Sequence, residues 1–416
     1  TKASRHNTDI PMQKNTCKYC ALLVAISVTE LHLLVAASVD LAVDEAHYAL
    51  YAYFPDLSYF DHPPLIGWLL WLLTPWGLDE FTLRVPAALI YLLCCGLLYH
   101  ITTQRIAGGT PLKGLVAVCV FSIAPMVQLL GFGLVPEFPL LLWSLLIALC
   151  AERLDADSPL RQWLLLGALI GLAGLSKYTA ALLVPSLAAF WLLQRKLGRI
   201  LVSARTYLAA ALAVTLISPV LLWNYQHDWA SFRYQIDHAG GGDWEVIDVL
   251  RAILVQILTY SPLIVIGGLA ALRHLNKPDM RGLLAWLAAP ILLFVTIGSG
   301  NGKSLPHWTL VAWSALVPAM SHWVVDQWSR ASVRRLAIGS SVLSALLSAL
   351  IIVLAACKPL SLMPWAAPAL RDLVGWREAA QRASRLKTEL FPEQGVILVH
   401  NWARASRIAW YAWPEP

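Results

Sequence analysis

Residues 40–86 read DLAVDEAHYALYAYFPDLSYFDHPPLIGWLLWLLTPWGLDEFTLRVP. Asp44-Glu45 opens the polar part of the stretch, Asp61-His62-Pro63-Pro64 sits in its middle, and Asp79-Glu80 closes it. No Lys or Arg occurs between Thr29 and Phe81, and aromatic and leucine-rich runs separate the acids. This pattern predicts a structured loop on a membrane surface, carrying a reactive carboxylate pair. The remainder of the chain reads as the scaffold that places it.

Composition supports that scaffold. The 416 residues are 58% hydrophobic and 13% charged, with a mean hydropathy of +0.62, where a soluble globular protein carries about 25% charged residues. The deficit predicts a polytopic membrane protein. The 19 tryptophans agree, because Trp favours membrane–water boundaries. The net charge of +6 is spread over loops and carries no nucleic-acid signal. Seven cysteines form no disulfide framework: Cys94, Cys95, Cys119 and Cys150 lie in apolar runs as ordinary core residues. Cys17-Lys18-Tyr19-Cys20 is a lone CxxC without the second pair a zinc site needs. No cleavable signal peptide is expected, since the first apolar run starts near Ala21 with no small-residue cleavage site after it.

Apolar runs near the length of a membrane crossing fall at 21–39, 83–103, 114–132, 138–151, 162–176, 179–193, 206–223, 249–272, 282–298, 307–325 and 336–356, about eleven spans. The 162–193 stretch is two spans if it breaks at Ser176-Lys177. With the N-terminus cytoplasmic, the inside segments hold 18 Lys and Arg and the outside loops 5, counting Arg84 and Arg251 at the outer ends of their spans. That bias obeys the positive-inside rule and puts the acidic loop, 40–82, outside.

Two parts are expected: a transmembrane module over 1–356 and an external segment over 357–416. In the latter, Asp372–Leu386 has helical periodicity and Gly395–His400 reads as a short strand, so the fold class is an all-α membrane bundle of about 11 helices with a small external α/β appendage. Interfacial helices are expected in the first external loop, Leu65 to Leu73 being too short to span.

The candidate chemistry lies at the outer helix ends. A helix starting at Asp44 brings Asp44, Tyr48 and Tyr51 to one face. Glu137 sits in the short turn GFGLVPEFP, and an ionisable group at that depth is a functional hypothesis. Lys177, in GLAGLSKYTAALLVP, needs an anion at depth, and a lipid phosphate is a natural partner. Gly298, Gly300 and Gly302 flank Lys303 and His307, where glycine permits close backbone approach to a ligand. The loop at 224–248 adds His227 and His238, with three glycines, Gly240 to Gly242, marking a mobile element.

The motifs DEAHY at 44–48, YFDHPPL at 59–65, PEFPL at 136–140, GLSKY at 174–178, Trp223-Asn224 with the following His-Asp-Trp, and PHW at 306–308 come in an order that resembles one family. That family is the bacterial glycosyltransferases of the protein-mannosyltransferase and aminoarabinose-transferase type, within the C superfamily of polyprenyl-phosphate-dependent enzymes. The resemblance implies a sugar donor on a polyprenyl phosphate, a lipid or lipopolysaccharide-type acceptor such as lipid A, and reaction on the periplasmic face of a bacterial inner membrane among its lipids. It implies Asp44, with Glu45 beside it, as the catalytic carboxylate, and Glu137 as a second acid where relatives more often have Asp. Tyr48 would line the same face. Lys177 would hold the donor phosphate with Tyr178 beside it, and His62, Lys303 and His307 would contact phosphate or sugar. Asp61 would contact substrate or bind a divalent metal ion with His238 as second ligand.

Because a polyprenyl phosphate is already a good leaving group, a general base plus positive charge at the departing phosphate suffices, and one base implies a single inverting displacement. A protein O-glycosyltransferase of the same superfamily is one alternative. A transporter or lipid flippase is another; it would show ionisable residues at mid-membrane and repeated halves, neither of which the sequence displays.

Overall fold

The computed structural model describes residues 6–131, 133–240, 243–302, 304–357, 374–391 and 395–412, with backbone alone at 6–14, 238–240 and 357. Among the described residues every regular element is helical, as lipid demands of backbone groups that must find partners within their own segment. The helices are α1 (His6–Ala36), α2 (Val43–Tyr53), α3 (Leu65–Trp71), α4 (Glu80–His100), α5 (Pro111–Ser122), α6 (Pro125–Gly131), α7 (Glu137–Ala151), α8 (Leu160–Ser176), α9 (Leu183–Leu193) and α10 (Leu197–Leu201). They continue with α11 (Ala204–Gln226), α12 (Ala230–Gly240), α13 (Val246–Tyr260), α14 (Pro262–Ala271), α15 (Met280–Gly298), α16 (Leu310–Asp326), α17 (Ala331–Cys357), α18 (Trp376–Leu390) and α19 (Trp402–Ala412).

All eleven apolar runs are helical, but they do not make eleven equivalent spans. Among the described residues six helices are long and apolar enough to cross a membrane, and eight if each of two bent pairs counts as one span. The runs at 138–151, 162–176 and 179–193 form shorter apolar helices. The run at 114–132 bends by 68° between α5 and α6, and the run at 249–272 by 107° between α13 and α14. Proline explains both breaks. Pro125 and Pro262 each open the second helix of their pair, where a missing N–H costs nothing, and proline pushes the preceding residue out of helical geometry. Ser261 takes the strain, at φ 92° and ψ 135°, while its hydroxyl accepts from the Leu263 N–H at 3.3 Å.

The expected break at Ser176-Lys177 is present. α8 ends at Ser176, Lys177 is extended, and a tight turn over Tyr178–Leu182 leads into α9. α8 lies against α11 along a ridge of small residues: side chains at Gly167 and Gly171 would strike Ala209 and Leu216, the close approach that such stripes permit between membrane helices.

The expectation for the C-terminal segment is corrected. Gly395 to Val399 is irregular rather than a strand; among the described residues there is no strand for it to pair with, and an unpaired strand has nowhere to place its ladder hydrogen bonds. The helix predicted over Asp372–Leu386 runs instead over Trp376–Leu390, with Asp372 and Leu373 outside the described residues. α18 and α19 dock on the first loop. The Trp376 N–H donates to Asp40 Oδ2 at 3.3 Å, the Leu41 N–H to the Tyr411 hydroxyl at 2.7 Å, and Arg377 pairs with Glu80. Arg407 stacks its guanidinium 3.7 Å from the Trp376 ring centroid.

Candidate active site

α2 sets the first half of the site. Ala42 is extended, and α2 begins after it with Asp44 and Glu45 in the first turn, where acids complement exposed N–H groups. The helical repeat then sends neighbouring acids apart. Asp44 faces a cavity of ≈ 420 Å³ together with Tyr48, Asp61, His62, Glu137, Lys177, Tyr178 and His307. That volume is in the range of small-molecule sites, about 300–1,000 Å³.

Glu45 turns the other way. Its Oε1 accepts from Arg84 Nε at 2.7 Å, and its Oε2 from Arg84 Nη2 at 2.8 Å and from the Ala42 N–H at 3.0 Å. Arg84, only 2% exposed, also donates to the carbonyls of Val39 and Asp40 at 2.8 and 3.1 Å. A side chain at Gly133 would come within 2.6 Å of Glu45 Oε1. Glu45, expected beside Asp44 in the chemistry, is placed by the structure against Arg84, where it fixes the chain as it leaves α1 for α2, rather than in the cavity wall. Breaking such a buried pair costs about 3–5 kcal/mol. Arg84→Gln is expected to lose that much stability, read as a large fall in thermal midpoint in detergent.

The middle of the first loop folds back onto α2. The Tyr51 and Tyr59 rings stack 3.6 Å apart at 2°, and α3 presses on them so closely that a side chain at Gly67 would meet Tyr59 and Tyr51. Tyr51 donates its hydroxyl to Asp61 Oδ1. His47 Nε2 lies 3.0 Å from the Tyr51 hydroxyl and 3.3 Å from Asp61 Oδ2, and His62 Nε2 lies 3.8 Å from the same oxygen. Burial pushes the Asp61 carboxyl upward, but the His47 hydrogen bond, the charges of His62 and His47 and the Tyr51 hydroxyl outweigh it and hold it near 2. Burial lowers His62 to about 4 despite Asp61 beside it. Asp44 is raised, first by burial, against the pull of His307. At neutral pH the first loop thus offers an ionised Asp61, a neutral His62 and an Asp44 more basic than an ordinary carboxylate.

The second half comes from the bundle. Glu137, at the start of α7, is 1% exposed, and Lys177, after α8, is 8% exposed. They form an ion pair through Glu137 Oε1, with His307 Nε2 3.5 Å from the same oxygen. Glu137 Oε2 has no partner among the described residues. Lys177 Nζ also stands 5.6 Å from the Trp308 ring centroid. The Tyr178 hydroxyl is 2.7 Å from Ser231 Oγ on α12, and Ser231 Oγ lies 2.7 Å from the Phe60 carbonyl. Gln235 Nε2, also on α12, donates to the Asp61 carbonyl at 2.7 Å. The second external loop thereby clips onto the first.

Of the other expected residues, Lys303 lies outside the described residues, and His238 is on α12 with its side chain outside them. His227 is occupied by its own helix end, stacked on Trp223 at 4.0 Å, with Nδ1 2.8 Å from the Trp223 carbonyl. Among the described residues no three His, Cys, Asp or Glu side chains are grouped to hold a metal. The sequence reading missed Tyr234, Gln235 and Trp402 in the cavity wall. Trp402 of α19 packs edge-on to His47 at 5.1 Å, and Ser406 Oγ of the same helix lies 3.2 Å from His47 Nδ1.

Comparison with known proteins agrees with the resemblance. Residues 61–223 match the sequence family described as dolichyl-phosphate-mannose-protein mannosyltransferase. The chain is 28% identical over 291 residues to the lipid A galacturonosyltransferase RgtD of Rhizobium johnstonii; the match takes in 66% of this chain and 59% of that relative's length. Among solved structures, ArnT from Cupriavidus metallidurans in the apo state superposes with a TM-score of 0.58 at 14% identity, over 93% of this chain and 83% of that one. The same protein bound to undecaprenyl phosphate superposes at 0.55 and 16% identity, over 94% and 74%. The resemblance to the C superfamily of polyprenyl-phosphate-dependent glycosyltransferases is borne out, and the fold is the ArnT-like arrangement of a multi-pass membrane protein.

Proposed function

We propose that this protein is an integral membrane glycosyltransferase that moves a sugar from a polyprenyl phosphate to a lipid A-type or related glycolipid acceptor, on the periplasmic face of a bacterial inner membrane. The observation that carries the reading is one cavity in which a basic carboxylate, Asp44, faces a buried cation, Lys177. The names of the relatives support it: one transfers galacturonate to lipid A, and the other is seen with undecaprenyl phosphate.

The chemistry needs little beyond these groups. The acceptor hydroxyl attacks the anomeric carbon as Asp44 takes its proton, and the bond from that carbon to the phosphate oxygen breaks. The electron pair leaves with polyprenyl phosphate, whose charge Lys177 balances. One displacement inverts the anomeric centre. Before the donor arrives, Glu137 is the anion that pairs with Lys177 in its buried position; when the phosphate replaces it, His307 stands beside the released carboxylate. Tyr48, His62 and Tyr178 line the sugar space.

The divalent metal at Asp61 and His238 is a separate part of the proposal. A carboxylate and an imidazole suit zinc, but both Asp61 oxygens already face Tyr51 and His47, so the described donor set does not fit an ion as it stands. No step of the transfer runs through it.

Purified protein assayed with a panel of polyprenyl-phosphate sugars is expected to consume one donor and add one sugar mass to a glycolipid acceptor. Consumption without any donor preference for the polyprenyl phosphate, or no consumption at all, overturns the reading. A protein acceptor is the second reading, favoured by the description of the matched family; sugar mass appearing on a polypeptide and not on glycolipid would establish it. In the same assay, turnover unchanged by a chelator removes the metal, and turnover lost and restored by zinc places it.

A further inference from the structure

A second cavity of ≈ 90 Å³ lies at the opposite end of the bundle, lined by Arg273, His274, Arg281, His322, Trp323 and Asp326 among others. His307 and Trp308, just before the start of α16, border the acidic cavity, while Asp326 ends that helix. Seventeen residues at about 1.5 Å each separate the two cavities by roughly 25 Å, the depth of most of a bilayer core. The second cavity shares no residue with the first.

Its charge is one-sided. Asp326, its acid, is already matched by Lys113 from α5, with Nζ 2.7 Å from Oδ1. His322 Nε2 lies 2.9 Å from the Thr102 carbonyl, which fixes its proton there and leaves Nδ1 facing Arg281 Nη2 at 3.5 Å. Arg281 gives one further hydrogen bond, to the Ala107 carbonyl at 2.8 Å. Arg273 makes no hydrogen bond or ion pair among the described residues. Two guanidinium groups therefore converge on a space about the size of a tetrahedral anion with no carboxylate assigned to either. Arginine is the side chain suited to phosphate oxygens, which it grips through paired N–H groups.

We propose that this pocket binds a phosphate group, monoester or diester, carried either on the headgroup of a membrane phospholipid or as free phosphate. The surroundings suit a headgroup. Ile266 and Leu269, exposed at 47% and 55%, precede Arg273 by two turns and one turn, so an acyl chain could follow them away from the pocket. Trp323 borders it as tryptophans border membrane interfaces. Basic pockets between membrane helices recognise anionic headgroups in this way. The inference does not depend on the transfer reaction at the other end.

The test uses the full chain in detergent micelles, titrated with phosphatidylglycerol, with phosphatidylcholine and with inorganic phosphate, and read by native mass spectrometry and thermal midpoint. Phosphatidylglycerol is expected to bind about tenfold more tightly than phosphatidylcholine, and Arg273→Gln to remove about tenfold of that affinity, the worth of one charged hydrogen-bond set. Arg273 holds no hydrogen bond or ion pair among the described residues, so this variant should keep the wild-type midpoint without lipid. Lipid binding that excess inorganic phosphate does not displace assigns the site to a headgroup; saturable binding of inorganic phosphate that Arg273→Gln abolishes assigns it to the free ion. Equal affinities in wild type and Arg273→Gln for both probes would overturn the site.

Discussion

Asp44→Asn is expected to lower turnover by about 10²–10⁴-fold, the range contributed by a general base, with the thermal midpoint close to wild type. The isostere keeps the volume at the start of α2 and the cavity wall but cannot take a proton. The pH profile gives a second readout. Burial raises Asp44, so it is protonated, and useless as a base, at higher pH than an ordinary carboxylate. kcat/KM in the wild type should rise with pH along a limb whose midpoint lies above the usual value near 4, and Asp44→Asn should lose that limb. Asp61 would not mimic it, being held near 2 and ionised throughout the accessible range. A limb that survives in Asp44→Asn would remove Asp44 as the base.

Lys177→Gln should be damaging twice over. It takes the ammonium partner from Glu137, 1% exposed, and leaves it His307 at 3.5 Å, at a cost of up to about 3–5 kcal/mol. It also takes away the counter-charge for the leaving phosphate, which lowers turnover by about 10²–10³-fold on the scale of other transition-state donors. The double variant Lys177→Gln/Glu137→Gln separates the two effects. Removing both charges should restore most of the thermal midpoint and none of the turnover. Recovery of turnover along with stability would mean that Lys177 serves the fold alone.

The scaffold was largely legible because hydropathy is a local property: each apolar run maps to a helix or a bent pair of helices, and the break at Ser176-Lys177 shows in the one cation between two runs. The bends after Ser122 and Tyr260 were in the sequence as Pro125 and Pro262, but a window average over 20 residues smooths a proline away. The short strand at Gly395–His400 failed for the complementary reason, since a short apolar run cannot say whether a partner strand exists. Within the site, Asp44, Asp61, Glu137 and Lys177 stood out as ionisable groups in an apolar context, and the fold brings them to one cavity. Glu45 looked equivalent to Asp44 because adjacency hides direction; only the approach of Arg84, 39 residues later, reveals which acid faces the cavity. Trp402 carried no signal at all, being one of many tryptophans, more than 300 residues from the loop it covers.

That last contact has a consequence for engineering. Ser406 and Trp402 reach His47, and His47 reaches Tyr51 and Asp61, so α19 supplies part of the cavity wall through Trp402. Chimeras that graft the 374–412 segment of one relative onto the bundle of another would exchange one face of the chamber while Asp44 and Lys177 stay in place. A shift in substrate preference in such a chimera, with Asp44 and Lys177 unchanged, would assign selectivity to that wall.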